Sequence, residues 1–204
     1  KYEVVCMLQS AGNDTYIVDS RDDRIVESVS DDGNDATSGG IDTVKSTVSQ
    51  VLRSGVNNIQ LLGNALNARG NHLDNTITGN SQINRLEGLA GDDIIFGGSG
   101  DTLIGGSGND QLINQDHSST SSATLIGGSG DDLLSGRAGD VLIGGSGDDT
   151  ILMSVNSTVS GGSGNDKFII QSESSNSLTR ITDFVAGHDE LIVEGIQASD
   201  PSPL

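Results

Sequence analysis

The sequence predicts an all-β fold, a solenoid of very short strands stacked in two facing sheets. Three observations carry that prediction. Between residues 70 and 169 the chain repeats itself every eight or nine residues, most units open with a glycine-rich turn, and every unit holds one position that is always bulky and apolar. A unit this short cannot bury an apolar side chain by itself, whereas a stack of them can.

Read in register, the repeat is GNHLDNTIT, GNSQINRLE, GLAGDDIIF, GGSGDTLI, GGSGNDQLI, NQDHSSTSSATLI, GGSGDDLLS, GRAGDVLI, GGSGDDTIL, MSVNSTVS and GGSGNDKFI. The apolar positions are Ile77, Leu86, Ile95, Leu103, Leu112, Leu125, Leu134, Leu142, Ile151, Val159 and Phe168. Each unit reads as a turn followed by a short strand with one side chain pointing inward, and glycine supplies the turn because it reaches positive φ without a Cβ clash. Two units make one coil. At a strand spacing of about 4.8 Å, eleven units stack into a rod roughly 26 Å long.

The units are not equivalent. Complete turns GLAGDD, GGSGND, GGSGDD, GGSGDD and GGSGND begin at Gly88, Gly105, Gly127, Gly144 and Gly161, while the alternate units are shortened or degraded. In a two-unit coil the complete turns fall on one edge and the poor turns on the other. The extra residues 114–117 are expected to bulge from the poor edge.

That alternation has a chemical consequence. Sharp glycine turns aim backbone carbonyls at a common centre, and Asp93, Asp110, Asp132, Asp149 and Asp166 add a carboxylate at the sixth position of each complete turn. A cage of hard oxygens without His or Cys favours calcium over zinc or copper. Without a cation, carboxylates one coil apart repel each other, so ion binding and folding are expected to be coupled. Residues 70–169 hold thirteen acidic and three basic side chains, a net charge of −10 that five divalent ions would cancel. The expected ligands are those five aspartates with Gly88, Gly91, Gly105, Gly108, Gly127, Gly130, Gly144, Gly147, Gly161 and Gly164, giving four or five strong calcium sites. Asp101 and Asp140, on the poor edge, are weaker candidates. Asn75 and Asn84 stand where aspartate would sit, so the first coils are expected to form an ion-free cap. A single Gly-x-Gly-x-Asp is ordinarily a plain turn; five complete copies in phase are not.

The flanks are less regular. Residues 1–10 read as an apolar strand and not as a secretory signal. Strand candidates follow at 16–18, 24–27, 43–48 and 58–62, and continue the stack or form a separate sandwich. Residues 31–40 read as an exposed acidic loop, with a local calcium site as the alternative. The organisation expected is therefore an irregular β-rich flank over 1–69, the repeat over 70–169, and a capping segment with a tail over 170–204. In that last segment Ile181, Phe184, Leu191 and Ile192 are expected to cover the open end of the last coil, after a polar linker over 171–177. Solenoid ends need such covers because they expose unpaired strand edges.

The repeat resembles the GGxGxDxUx nonapeptide of the RTX (repeats-in-toxin) family of secreted bacterial proteins, most strongly from Gly88 to Ile169 and more softly back to Gly70. This resemblance implies a right-handed parallel β-roll with calcium in its glycine-rich turns, unfolded in a calcium-poor cytoplasm and folded after export through a type I secretion channel. It also implies a longer parent chain with other domains, and an extracellular or cell-surface location. GNDTYIVDSRDDRIVE, GGIDTVKSTVSQVL and VNNIQLLGNALNARGN look like segments that precede or separate such rolls. Gly12, Asn13 and Asp14 look like the end of an earlier calcium repeat, although Gln9 and Ser10 replace its glycine pair. RITDFVAGHDELIVEG resembles the closing segment, while residues 197–204 carry no identifiable secretion signal.

Composition narrows the function classes. The 204 residues include 29 acidic and 10 basic side chains, a net charge of −19, which argues against nucleic acid or an anionic membrane as partner and invites cations. One cysteine, Cys6, excludes an internal disulfide and reads as a buried thiol. No apolar run is long enough for a transmembrane helix, and the missing initiator Met suggests a processed or excised chain. His72, His117 and His188 are isolated, and HExxH, GxSxG and phosphate-loop motifs are absent. The leading reading is a calcium-folded secretion or presentation module without its own catalytic site. The alternatives are an adhesive module and the C-terminal part of a secreted enzyme such as an epimerase or lipase. Adhesion would draw on Ile94, Phe96, Ile104, Ile113, Ile126, Ile143, Leu152 and Ile169, which flank the inward positions and should face outward.

Overall fold

A computed structural model of the chain describes residues 6–8, 12–26, 40–116, 121–171 and 178–194. Residues 31–39 of the expected loop, His117 of the bulge, Glu27, the side chain of Cys6, residues 172–177 of the linker and residues 197–204 lie outside the described part.

The described residues form twenty strands and no helix. The first eight are β1 (Cys6–Leu8), β2 (Thr15–Val18), β3 (Arg24–Val26), β4 (Thr43–Ser46), β5 (Gln50–Val51), β6 (Asn58–Leu61), β7 (Asn67–Arg69) and β8 (Thr76–Thr78). Then come β9 (Arg85–Ala90), β10 (Ile94–Gly97), β11 (Thr102–Ser107), β12 (Gln111–Asn114), β13 (Thr124–Ser129) and β14 (Leu133–Ser135). The last are β15 (Val141–Ser146), β16 (Thr150–Met153), β17 (Thr158–Ser163), β18 (Lys167–Gln171), β19 (Arg180–Ile181) and β20 (Glu190–Glu194).

Even-numbered strands from β2 to β20 form a ten-stranded sheet in sequence order, and odd-numbered strands from β5 to β19 form an eight-stranded one. β1 and β3 pair with each other outside both sheets. From β4 onward the chain changes sheet at every strand, so two units complete one coil. Every strand pairing is parallel; Leu103, Leu125, Leu142 and Val159 align across β11, β13, β15 and β17, for example. The architecture is an all-β parallel β-roll. Strands β2, β4, β5, β6 and β7 of the N-terminal flank lie in the same two sheets as the repeats.

The core is a double file of single side chains. All eleven inward positions read from the repeat are fully buried, and Val18, Val44, Ile59 and Leu61 extend the file through the flank. The neighbouring Ile94, Phe96, Ile104, Ile113, Ile126, Ile143, Leu152 and Ile169 are only partly buried, as strand alternation requires.

At the C-terminal end, Ile181 packs against the core, and the Phe184 ring lies 6.0 Å from that of Phe168. Leu191 aligns with Phe168 across β18 and β20 but stays 46% exposed, because no described coil covers the last strand. Closure is also polar. Asp183 accepts hydrogen bonds from the Ser160 hydroxyl (2.6 Å) and the backbone N–H groups of Gly161 and Gly162 (both 3.0 Å).

These positions predict contrasting costs. Leu142→Ala should lose about 2–5 kcal/mol, because a close-packed file cannot collapse around the cavity. Ile143→Thr, one residue along on the half-exposed face, should lose less than about 1 kcal/mol. Denaturant unfolding of both variants measures the difference, and equal losses would contradict the assigned facing.

Candidate metal centre

The complete turns join β9 to β10, β11 to β12, β13 to β14, β15 to β16 and β17 to β18, all along one edge. Their local shape depends on glycine. Gly130 has φ +121°, and a methyl group there would also overlap the carbonyl oxygen of Gly108 in the coil beneath. At Gly127 a methyl would occupy the space taken by the Asp132 carboxylate. Leu89 stands where the later turns have Gly106, Gly128, Gly145 and Gly162, and it adopts φ +93°. A side chain is strained in that region.

The five sixth-position aspartates form one column and are buried. In each, Oδ1 accepts the backbone N–H of the column residue one coil earlier. Asn75 donates to Asp93, Asp93 to Asp110 and Asp110 to Asp132 at 2.8 Å; Asp132 donates to Asp149 at 2.9 Å and Asp149 to Asp166 at 3.0 Å. The second oxygens differ in kind. Oδ2 of Asp93, Asp110, Asp132 and Asp149 is buried with no hydrogen-bond donor. Each faces the first glycine of its own turn, and the carbonyls of Gly105, Gly127, Gly144 and Gly161 reach into the same four cradles from the next coil.

Buried carboxylate oxygens without donors are costly. Burial, reinforced by neighbouring aspartates and only partly offset by the backbone N–H bonds, pushes Asp93 and Asp132 up to about 7 and Asp110 and Asp149 up to about 6. Asp166 is also raised by burial, with Asp189 and Asp183 adding to the effect. Each cradle therefore calls for a positive partner, a proton or a cation. Among the described residues no three His, Cys, Asp or Glu side chains converge on one point. The donor set is instead one carboxylate per turn plus glycine carbonyls, which fits a hard cation that accepts many oxygens, as calcium does.

The opposite edge is built differently. Asp101 accepts backbone N–H groups from Asn84 and Gly98 on its two oxygens, both at 2.7 Å. Asp140 accepts from Ala123 on Oδ1 at 2.8 Å, and on Oδ2 from the Arg137 N–H at 2.7 Å and Asn114 Nδ2 at 2.8 Å. Both weaker candidates thus have two engaged oxygens. Arg137 Nε also donates to the carbonyl of Asn114, tying the enlarged unit to this edge.

Two features escaped the sequence reading. The fifth-position residues Asp74, Asp92, Asn109, Asp131, Asp148 and Asn165 form an outer ladder, each backbone N–H donating to the previous residue's Oδ1 at 2.7–2.8 Å. It runs opposite in direction to the inner column. The signal was an Asp or Asn at the fifth position of every complete turn. The inner column also extends past the repeat. Asp14 N–H donates to Asp42 at 2.8 Å, Asp42 N–H to Asn57 at 2.9 Å, and Asp166 N–H to Asp189 at 3.1 Å. Gly40-Ile41-Asp42 and Gly187-His188-Asp189 repeat the Gly-x-Asp core that would have revealed them. Asp189 ends the column because its second oxygen accepts the Val185 N–H at 2.7 Å.

A family model for the RTX calcium-binding nonapeptide repeat, in four copies, matches residues 70–101, 101–113 and 119–151. The matched residues are RTX calcium-binding repeats. Neither a curated protein nor a solved structure matches the chain. The RTX match stops before the turn at Gly161, yet Asp166 of that turn stands in the same column. Calcium-binding nonapeptide repeats imply Ca2+ binding by the matched residues.

Two predictions follow from the geometry. Without divalent ions, a carboxyl with a pKa near 3.8 unfolded and about 6–7 folded binds more protons in the folded state across that window. The ion-free fold is therefore most stable below about pH 4 and loses stability as pH rises to about 7. Circular dichroism of metal-free protein should show less β signal at pH 8 than at pH 5; a signal that grows with pH would contradict this. Leu89→Gly should stabilise the calcium-loaded protein by about 1 kcal/mol, relief of strain outweighing the added chain entropy. Thermal unfolding in calcium tests it.

Proposed function

We propose that the chain is a calcium-switched folding module of a larger exported bacterial protein. In this reading Asp93, Asp110, Asp132, Asp149 and Asp166, with the carbonyls of the first and fourth glycines of their turns, hold the ions. The supporting observation is the run of buried carboxylate oxygens without donors in four successive complete turns, at Asp93, Asp110, Asp132 and Asp149. The four in these complete turns make four strong sites the expected number, with the column end at Asp166 as the fifth.

Calcium would replace a destabilising repulsion by ion–oxygen contacts, so the bound ions contribute to folding directly. Extracellular calcium modules work at dissociation constants of about 10⁻⁴–10⁻³ M. Tuned to that range, the aspartate coils stay unfolded at cytosolic calcium and fold outside, which suits export of that part of the chain. RTX repeats are typical of secreted bacterial proteins, which supports a reading of the module as extracellular, where it would support or present attached domains. An adhesive role is the second reading. It is favoured by the partly exposed row in which Phe96 aligns with Ile113 and Leu152 with Ile169.

Calcium titration followed by circular dichroism and calorimetry tests the proposal. The expected outcome is a cooperative gain of β signal near millimolar calcium, absent with magnesium, with a stoichiometry of four or five. Asp132→Ala should remove about one ion and raise the calcium midpoint severalfold, since the lost ligand sits mid-column. A chain equally folded with and without calcium would overturn the mechanism.

A further inference from the structure

The coils just before the aspartate column keep its architecture without its charges. Strand register places Asn57 and Asn75 in the column between Asp42 and Asp93, and Asn84 before Asp101 on the opposite edge. Asn75 and Asn84 are buried, and each closes a Gly-Asn-x-x-x-Asn turn, at residues 70–75 and 79–84.

The two turns are bonded alike. Asn71 Nδ2 donates to the carbonyls of Arg53 (2.7 Å) and Val56 (2.8 Å), and Asn75 Nδ2 to those of Asn57 (3.0 Å) and Val56 (3.4 Å) and to Asn71 Oδ1 (3.2 Å). On the other edge Asn80 Nδ2 donates to Ala65 (2.8 Å) and Leu62 (3.3 Å), and Asn84 Nδ2 to Ala65 (3.1 Å), Leu66 (3.4 Å) and Asn80 Oδ1 (3.2 Å). In both turns the first asparagine's Oδ1 takes a backbone N–H two residues on, from Leu73 or Gln82, at 2.8 Å. A primary amide brings two N–H donors and no net charge. Here the amides gather the carbonyls of the preceding coil, the task that a cation performs between aspartate turns.

Charge follows the same division. Residues 53–87 hold three basic and two acidic side chains, whereas residues 88–169 hold two basic and eleven acidic ones. The asparagine coils also carry a finished core of Ile59, Leu61, Ile77 and Leu86, all fully buried. Their far side is prepared for the next coil: Asn75 N–H donates to Asp93 Oδ1 at 2.8 Å and Asn84 N–H to Asp101 Oδ1 at 2.7 Å.

We propose that the two asparagine pairs make residues 53–87 an ion-independent platform, folded before calcium arrives, on which the aspartate coils assemble as calcium binds. This rests on the reading of the aspartate column as calcium sites. A solenoid propagates by nearest-neighbour interfaces, so its costly step is the first coil. The platform supplies that coil ready-made, and order then spreads from Asp93 toward Asp166.

Hydrogen exchange by mass spectrometry on the full chain, in chelator and in calcium, tests the platform. Expected protection in β6–β9 is within about threefold in the two conditions, while β10–β18 lose at least about a hundredfold in chelator. If β6–β9 exchange as fast as β10–β18 in chelator and calcium protects both, the platform is overturned and the calcium reading stands. Full protection everywhere in chelator overturns both. Asn75→Asp removes the donors and adds a charge, and should make protection of β6–β9 depend on calcium. Unchanged exchange of this variant in chelator would overturn the role given to the amides.

Discussion

Everything in this fold turns on carboxylates held where water cannot reach them. A coil of two short strands brings one inward apolar side chain per unit, which is little burial for the backbone it must order. Regularity compensates, since each coil offers the next an identical surface. That regularity also stacks the aspartates of successive turns at one strand spacing, with one oxygen of each facing a cradle that has no donor. The arrangement is unsatisfied without a positive partner, a proton or a cation.

The rest of the molecule can be read as limits on that one arrangement. On the opposite edge, Asp101 and Asp140 have both oxygens engaged by N–H donors. At the C-terminal end, Asp189 continues the column but closes it with the Val185 N–H. Asp183 meanwhile takes up N–H groups of the last glycine turn. At the other end asparagine amides stand in place of carboxylates and donate to carbonyls of the preceding coil. One backbone geometry thus carries three chemistries, chosen by whether the turn presents a free oxygen, a satisfied oxygen or an amide.

Glycine and the two side-chain ladders divide the work of holding the turns. Glycine is needed where backbone of one coil touches backbone of the next, as at Gly130. The inner and outer ladders run in opposite directions, so every complete turn is tied to the coil on each side of it. Leu89 shows that the geometry is imposed by neighbours rather than by the residue itself, since it holds a glycine conformation without being glycine.

Local sequence by itself determined the unit, its inward residue and the separation of complete from degraded turns. Those features depend only on short-range pattern: a fixed period, a glycine pair, one bulky apolar side chain. It also indicated which aspartates share an edge, because two units per coil make parity decide the edge. Tertiary structure decided what pattern could not. The outer ladder at Asp92, Asp131 and Asp148 is invisible locally, because an exposed turn aspartate looks the same whether or not the next coil donates to it. Asp42 and Asp189 join the column only through strand pairing between units of unlike length. The contrast between Asp132, with a donorless oxygen, and Asp140, with none, depends on which N–H groups neighbouring coils bring within reach. Spacing reports where a carboxylate lies along the chain, and only packing reports which of its lone pairs are already taken.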